Sequence, residues 1–428
     1  MREWAPLVSI IALFCLFCVL FNLSTPYRTA GRLVHQRAES RDIGAPDERQ
    51  HANYVRFVAE RHSFPVLRPG DPDLYENYQA HQPPAYYILA AVWSGGRVES
   101  AGDGFWLRTL NTFIGVLTLL GLFFGALWVF CDRTLAAVAT SLGLAPMSIA
   151  LHSAVSNDPL LICLCTWVMA WLGRVLKDGW TGKSAVAVGV LAGAALLTKT
   201  TAVTLMPCII GVALVRGKAQ RIQSLIAFSL PLILVLPWWL RNISLYGDPL
   251  AAKVFLAAFT GSPQASMFIE EFGPVAYWSQ FVAWWTARSA IGVFGYMDIF
   301  MFETLSMEKS NSLYVAILFI MSLPLCAGLV QIVRRRSELK WPGTLWALFS
   351  VMVTVLFVRF NMQYFQGQAR YLYPALAPVS WTVALGAMAL LKSKPGWAFA
   401  CLLLILTTLD CAAWVQLGPA FGLRTPYQ

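Results

Sequence analysis

Charge is what this sequence has least of. Only 13% of its 428 residues are Asp, Glu, Lys or Arg, against 57% hydrophobic, and the mean hydropathy is +0.59. So little charge excludes an ordinary soluble globular domain. Histidine is also scarce, with five in all. The stretch from Asp47 to His51, "DERQH", has the outline of a zinc-protease helix, but that motif needs a histidine where Asp47 stands, which excludes the assignment. Internal repeats, low-complexity tracts and any polar stretch long enough for a separate soluble domain are missing. No small-x-small cleavage site follows the apolar run 7–23, so that run reads as a retained anchor rather than a signal peptide. The formal charge of +10 does not point to nucleic acid, because the basic residues lie in short groups between apolar runs. The nine cysteines sit in or beside those runs and read as packing residues rather than a metal or redox pair.

What is present is a series of long apolar runs. A membrane-crossing helix needs about 20 mostly apolar residues, and such spans are expected at 5–25, 106–130, 134–152, 159–176, 184–198, 200–215, 222–240, 312–333, 342–359, 371–391 and 396–416. The expected fold is therefore all-α and polytopic, one integral membrane domain over 1–428 with about eleven transmembrane helices. The two spans beside Thr198-Lys199-Thr200-Thr201 are the shortest. With the N-terminus in the cytoplasm, the inner turns carry Arg133; Arg174, Lys177 and Lys183; Arg216, Lys218 and Arg221; Arg334, Arg335, Arg336 and Lys340; Lys392 and Lys394. The short outer turns carry chiefly Lys199, Arg359 and Arg370. That orientation leaves two long extracytoplasmic loops, 26–105 and 241–311. Residues 83–96, "PPAYYILAAVWSGG", are too short to span and are expected to form an interfacial or re-entrant helix in the first loop. Asn22-Leu-Ser24 and Asn242-Ile-Ser244 are glycosylation sequons by pattern only.

The few polar clusters fall mainly on the predicted outer side. In "APDERQH", Pro46 suits a first helical turn, and Asp47 and Glu48 complement its positive end. His51, Tyr54, Val55 and Val58 recur at helical spacing, as in an amphipathic helix lying on a membrane, and Asp47 shares a face with His51. "ENYQAHQPPAYY" supplies Glu76, His81, Gln82 and Tyr86, groups suited to a polyhydroxylated ligand. "SNDPLL" places Asp158 at a helix start, and "LLTKTTAV" places Lys199 between two apolar runs, where an unpaired ammonium is costly. Arg241 in "PWWLRNISLYGDPL", and Arg370 beside Tyr371 in "QARYLYPALAP", sit at span mouths, where a planar guanidinium suits a phosphate. The segment Arg288 to Asp298, "RSAIGVFGYMD", reads as a flap or an interfacial anchor. The plainer readings of these residues are a helix cap for the acids and snorkelling for the arginines.

In this order, "PDERQHANYVRFVAERHSFP", "HQPPAYYIL", "SNDPLL", "LLTKTTAV", "PWWLRNISLYGDPL" and "QARYLYPALAP" resemble the GT-C superfamily of membrane glycosyltransferases. The likeness is to bacterial relatives of the protein O-mannosyltransferases and of the enzymes that transfer aminoarabinose to lipid A, a glycosyltransferase family 39-like pattern. It runs along nearly the whole chain. The resemblance implies transfer of a sugar from a polyprenyl-phosphate donor to an extracytoplasmic glycan, lipid or protein acceptor, with inversion, in the inner or plasma membrane. It carries Asp47 over as catalytic base or acceptor-orienting acid, with Glu48 beside it and Asp158 as the acid of the second outer loop. His51, Glu76, His81, Gln82, Tyr86, Lys199, Arg241, Arg370 and Tyr371 are then candidates for binding substrate. No cofactor is certain. A divalent metal ion is left open, although the single acid of "SNDPL" departs from the oligosaccharyltransferase branch, and "QARYLYP" lacks the glycine that many relatives place before the arginine.

The chemistry gives the same residues reasons to exist. A sugar phosphate already has a good leaving group, so one carboxylate to take the acceptor's proton can suffice, with cations to stabilise the departing phosphate. Burial and the like charge of Glu48 are expected to raise the pKa of Asp47. The rival classes make different demands. A lipid-linked sugar transporter or flippase is expected to show repeats and mid-membrane charges, and a non-catalytic scaffold would leave Asp47, Asp158 and Arg370 far apart.

Overall fold

The computed structural model describes residues 2–27, 45–217, 220–259, 262–295, 297, 299–302, 305–392 and 394–420. Lys218, Asp298 and residues 28–44 of the first long loop lie outside the described residues. The chain is almost entirely helical. α1 (Ala5–Ser24) is nearly unbroken apolar sequence, and α2 (Glu48–Arg61) starts beside Asp47, whose φ of 66° is left-handed. The short α3 (Leu74–Asn77) and α4 (Ala85–Ser94) follow, and then the 30-residue α5 (Ala101–Phe130). α5 opens with a capping box in which Ser100 and Asp103 each accept from the other's backbone N–H.

α6 (Arg133–Ser141) and α7 (Pro146–His152) occupy the expected span 134–152, but the run is bent by 68°. Pro146 explains the bend. It cannot continue the helical ladder, and its ring pushes Ala145 into an extended conformation with ψ 136°. α8 (Asp158–Asp178), with Pro159 in its first turn, is largely buried, and α9 (Gly182–Leu196) and α10 (Leu205–Arg216) flank the break at Lys199. α11 (Arg221–Tyr246) packs along α9. The second long loop holds α12 (Ala252–Ala258), α13 (Ala265–Ala276), α14 (Trp284–Ile291) and a small hairpin of β1 (Val293–Phe294) and β2 (Ile299–Phe300), with Val293 opposite Phe300. α15 (Met307–Arg334), α16 (Arg336–Asn361), α17 (Leu376–Leu390) and α18 (Pro395–Ala420) complete the bundle. Gly328 and Gly386 let α15 and α17 pack backbone to backbone; a methyl on either would run into the carbonyl of Thr382 or Pro324.

Among the described residues, eight helices are long and apolar enough to cross a membrane, or nine if the bent pair is one span. The protein is thus a polytopic membrane protein, with fewer full-length spans than the eleven expected. With the bent pair counted as one span, the helices beside Lys199 account for the difference: Gly182–Leu196 and Thr200–Arg216 are shorter apolar helices. At 1.5 Å per residue, a 15-residue helix rises only about 22 Å, short of a core of about 30 Å. α4, with ten residues, is shorter still.

The two ends of the bundle differ chemically. At one end Arg133 pairs with Glu3, Lys177 donates to the Trp128 carbonyl, and Arg216 donates to the Leu176 carbonyl, so the ends of α5, α8 and α10 meet there under basic residues. The starts of α2 and α8, the Lys199 break and the turn before α17 gather at the other end. We call it the acid end.

Candidate active site

α2 sits where it does because its buried face, including Ala52, Tyr54 and Val55, packs on Tyr86, Tyr87, Ala90 and Ala91 of α4 and on Leu107 and Leu110 of α5. The amphipathic face expected to rest on a membrane is therefore covered by protein. The Tyr54 and Tyr87 rings stack at 3.6 Å, and the Tyr87 hydroxyl lies 2.8 Å from His51 Nδ1. Burial pulls the pKa of His51 down to about 4 despite the nearby Asp47 and Asp158, so the ring is neutral near pH 7.

Asp47 ends up between two donors. Arg370 Nη2 donates to its Oδ2 at 2.9 Å, and the Tyr78 hydroxyl donates to its Oδ1. Burial pushes the Asp47 carboxyl upward, but the Arg370 guanidinium, His51 and the hydrogen bonds from Tyr78 and Arg370 outweigh it and hold the pKa below the ordinary carboxylate value. That reverses the sequence expectation. The expected repulsion from Glu48 does not act in the way assumed, because Glu48 turns the other way, into the protein.

A second pair lies close by. Asp158, at the start of α8, accepts from Lys199 Nζ at 2.5 Å, and that ammonium also sits 5.8 Å from the centre of the Tyr371 ring. The Lys199 backbone is extended where the chain breaks between α9 and α10, which lets the side chain reach α8. Arg370 stacks 5.0 Å from the same Tyr371 ring and donates to its hydroxyl at 3.1 Å, and that hydroxyl donates to Gln366 Oε1 at 3.3 Å. Asp47, Arg370, Tyr371, Lys199 and Asp158 thus form one connected cluster from four separate parts of the chain. Burial opposes the charge on Arg370, but Tyr371, Asp47 and Asp158 outweigh it and raise its pKa, so it stays a cation. Its Nε is buried and has no hydrogen-bond partner among the described residues.

A hydrogen-bonded chain borders this cluster. His81 Nδ1 donates to the Tyr78 carbonyl at 2.7 Å, so its Nε2 is the acceptor for Gln82 Nε2 at 3.0 Å. Burial brings the His81 pKa to about 4, which suits this neutral form. Gln82 Oε1 then accepts from Asn157 Nδ2 at 3.4 Å, and Asn157 also donates to the Thr198 carbonyl.

The other sequence candidates are engaged elsewhere. Glu48 is fully buried against Arg108, which donates to both of its oxygens at 2.7 and 2.6 Å, and the Val155 N–H adds a third bond. Arg241 donates to the Phe64 and Pro65 carbonyls and stacks on Trp238, tying α11 to the first loop. Tyr86 accepts from Asn111, and Glu76 accepts from Asn53 on the flank of α2. Arg288 lies against the Trp284, Trp285 and Phe300 rings. Both sequon asparagines are buried, with Asn22 donating to the Phe105 carbonyl and Asn242 to that of Pro249. Sequence reading did not single out Tyr78, Tyr87, Asn157 or Arg108. For Arg108 a signal was there, since one arginine inside the start of an apolar run calls for a partner.

The metal question has a physical answer among the described residues. No group of three or more His, Cys, Asp or Glu side chains is placed to hold a metal ion, and each acid of the cluster already meets a cation. The described residues present ion pairs there rather than a set of metal ligands.

By sequence, no family model and no curated protein matches the chain. By fold, it is similar to the oligosaccharyltransferase of Archaeoglobus fulgidus, solved in a complex with Zn and sulfate, with TM-score 0.57 and 16% identity over 97% of this chain and 53% of that one. The archaeal oligosaccharyltransferase AglB, also from Archaeoglobus fulgidus and solved with an inhibitory peptide and a dolichol-phosphate, gives TM-score 0.58 at 12% identity, covering 99% of this chain and 56% of that one. ArnT from Cupriavidus metallidurans gives TM-score 0.60 and 14% identity over 98% of this chain and 77% of that one in the apo state. Bound to undecaprenyl phosphate, it gives 0.56 and 13% over 98% and 76%. The chain spans about half the length of these archaeal enzymes. The fold is that of the GT-C membrane glycosyltransferases.

Proposed function

We propose that the protein is a membrane glycosyltransferase that moves a sugar from a polyprenyl-phosphate donor to an extracytoplasmic acceptor, with inversion at the anomeric carbon. The observation that carries this reading is the cluster itself. A scaffold has no need to bring Asp47, Arg370, Asp158 and Lys199 together from four parts of the chain. The fold supports the reading, because structures of this fold have been solved with undecaprenyl phosphate and with a dolichol-phosphate.

In this reading Asp47 takes the proton of the acceptor hydroxyl, and its lowered pKa keeps it ionised at neutral pH. The acceptor oxygen attacks the anomeric carbon from the face opposite the phosphate. The carbon–oxygen bond to the phosphate breaks, and its electron pair leaves on the phosphate oxygen. Arg370, permanently charged, stabilises that developing charge. Asp158, held by Lys199, orients the sugar or acceptor hydroxyls. Neutral His51 and His81 with Gln82 offer hydrogen bonds without adding charge.

The acid end is placed outside the cytoplasm and the basic end inside, in the inner or plasma membrane, following the charge bias of the turns. The long loops 26–105 and 241–311 then lie on the acid side within one membrane domain. The test is mass analysis of cell-envelope glycans, lipids and proteins from cells carrying the wild type or Asp47→Asn at equal expression. One sugar-sized mass difference, present only with the wild type, is expected and identifies the acceptor. Identical profiles would overturn the catalytic reading.

A further inference from the structure

The cluster is neutralised internally. Arg370 is spent on Asp47 and Lys199 on Asp158, while His51 and His81 are neutral. Among the described residues the cluster offers no cation that is not already paired, so an anionic phosphate entering it competes with a carboxylate. The two pairs are unequal competitors. Lys199–Asp158 is the shorter, and its side chains are 15% and 6% exposed. Arg370–Asp47 is longer, its acid is 22% exposed, and the guanidinium has a buried Nε with no partner among the described residues. Arginine presents five N–H donors, so one face of the fork can meet a new acceptor before the other lets go.

We propose that the donor's phosphate takes Arg370 from Asp47, so that the lipid-linked sugar itself releases the base that acts on the acceptor. The inference rests on the lipid-phosphate reading of the site. It identifies Arg370 as a switch as well as a clamp. Without donor, Asp47 is held by Arg370 and the Tyr78 hydroxyl and is a weak base. With donor bound, Arg370 faces the phosphate, and Asp47 keeps Tyr78 and gains proton affinity where the acceptor arrives. The groups around Asp47 are Arg370 and Tyr371 from the turn before α17, Tyr78 and His81 from the first loop, Tyr87 from α4, and His51 from its own helix. Asp158 and Lys199 act on the same surroundings through Arg370 and His51. Of these, Arg370 is the only arginine or lysine in contact with the Asp47 carboxylate among the described residues.

The step balances. The acceptor's O–H bond breaks and its proton goes to Asp47. A new bond joins the acceptor oxygen to the anomeric carbon, and the old carbon–oxygen bond leaves its pair on the phosphate. The phosphodiester becomes a monoester with one more negative charge, which binds Arg370 more tightly as the transition state forms. When the lipid phosphate leaves, Asp47 gives up its proton and pairs again with Arg370.

Linkage supplies the test. If phosphate and Asp47 compete for Arg370, removing the charge of Asp47 must strengthen phosphate binding, whereas removing a residue that merely supports the site would weaken it. The full-length protein in detergent is titrated with undecaprenyl phosphate at pH 7 by isothermal calorimetry. Asp47→Asn is expected to bind about fivefold tighter or better, Arg370→Gln weaker than wild type, and the double variant no tighter than Arg370→Gln. Equal or weaker binding by Asp47→Asn overturns the exchange while leaving the donor reading in place. A wild type that does not bind the lipid phosphate overturns both. If Asp47→Asn cannot be purified folded, the wild type is titrated at pH 5 with an undecaprenyl phosphodiester, whose own phosphate does not titrate there, in buffers of different ionisation enthalpy. Net proton uptake on binding is expected, and net release overturns the proposal.

Discussion

Asp47 and Glu48 are adjacent, and each meets an arginine from a distant helix or turn, yet the two pairs differ in what surrounds them. Glu48 and Arg108 are both completely buried. Arg108 also donates to the Pro26 and Thr25 carbonyls and to Asn22, so the guanidinium is saturated and joins the end of α1, the start of α2 and α5. Such a pair holds a fold together, because breaking it leaves a charge in a medium that cannot solvate it. Asp47 is partly exposed, and one nitrogen of the buried Arg370 guanidinium has no partner among the described residues. A saturated pair has nowhere to go, whereas an unsaturated one can change partners.

That contrast can be broken in graded steps. The largest effect is expected at Asp47: Asp47→Asn should cut sugar transfer by roughly 10²- to 10⁴-fold, the usual worth of a general base. The thermal unfolding midpoint should fall by less than in a variant that breaks the fully buried Glu48–Arg108 pair, and a fall as large would mean that Asp47 is structural like its neighbour. Next comes Arg108→Met, which strands Glu48 in the interior and should cost roughly 3–5 kcal/mol of stability. Thermal unfolding in detergent checks this. Whatever Arg108→Met protein remains folded should keep its catalytic constants per active molecule.

The histidines give a pH-dependent version of the test. His51 and His81 have folded-state pKa values of about 4, below the unfolded value near 6.5. The unfolded chain therefore binds more protons between these limits, so stability should fall as pH drops from about 6.5 to about 4 and then level off. His81→Gln should remove one proton's share of that slope, about 1.4 kcal/mol per pH unit. Asp47 acts at lower pH: with its pKa depressed, it stabilises the fold above the unfolded carboxylate value and loses that contribution as pH falls through the folded one. The smallest effect is expected from Tyr78→Phe. Removing one hydrogen bond to Asp47 costs about 1 kcal/mol, so the acid limb of the pH–rate profile should rise by under about one unit. An acid limb that does not move would show that the Tyr78 hydroxyl has no hold on the base.

Much of the fold was legible because hydropathy is additive along the chain. Twenty apolar residues make a candidate span whatever their neighbours do. The short helices beside Lys199 and the bend at Pro146 were harder to read, since an apolar run reports that a segment is dehydrated but not whether lipid or protein surrounds it. The same ambiguity misread α2, whose helical spacing was right and whose apolar face is covered by α4. Arg241 looked as much like a phosphate ligand as Arg370, and only the Phe64 and Pro65 carbonyls show how it is occupied.

By itself, then, the amino-acid order determined that this chain is a helical membrane protein with few acids, some of them at predicted helix starts. Those properties depend on residues close together in sequence. Which acid is anchored and which can exchange partners was decided only by tertiary structure. Arg108 is 60 residues from Glu48, and Arg370 is 323 from Asp47. A carboxylate's chemistry is set by the charges and water within a few ångströms of it, and packing, not sequence adjacency, chooses those neighbours.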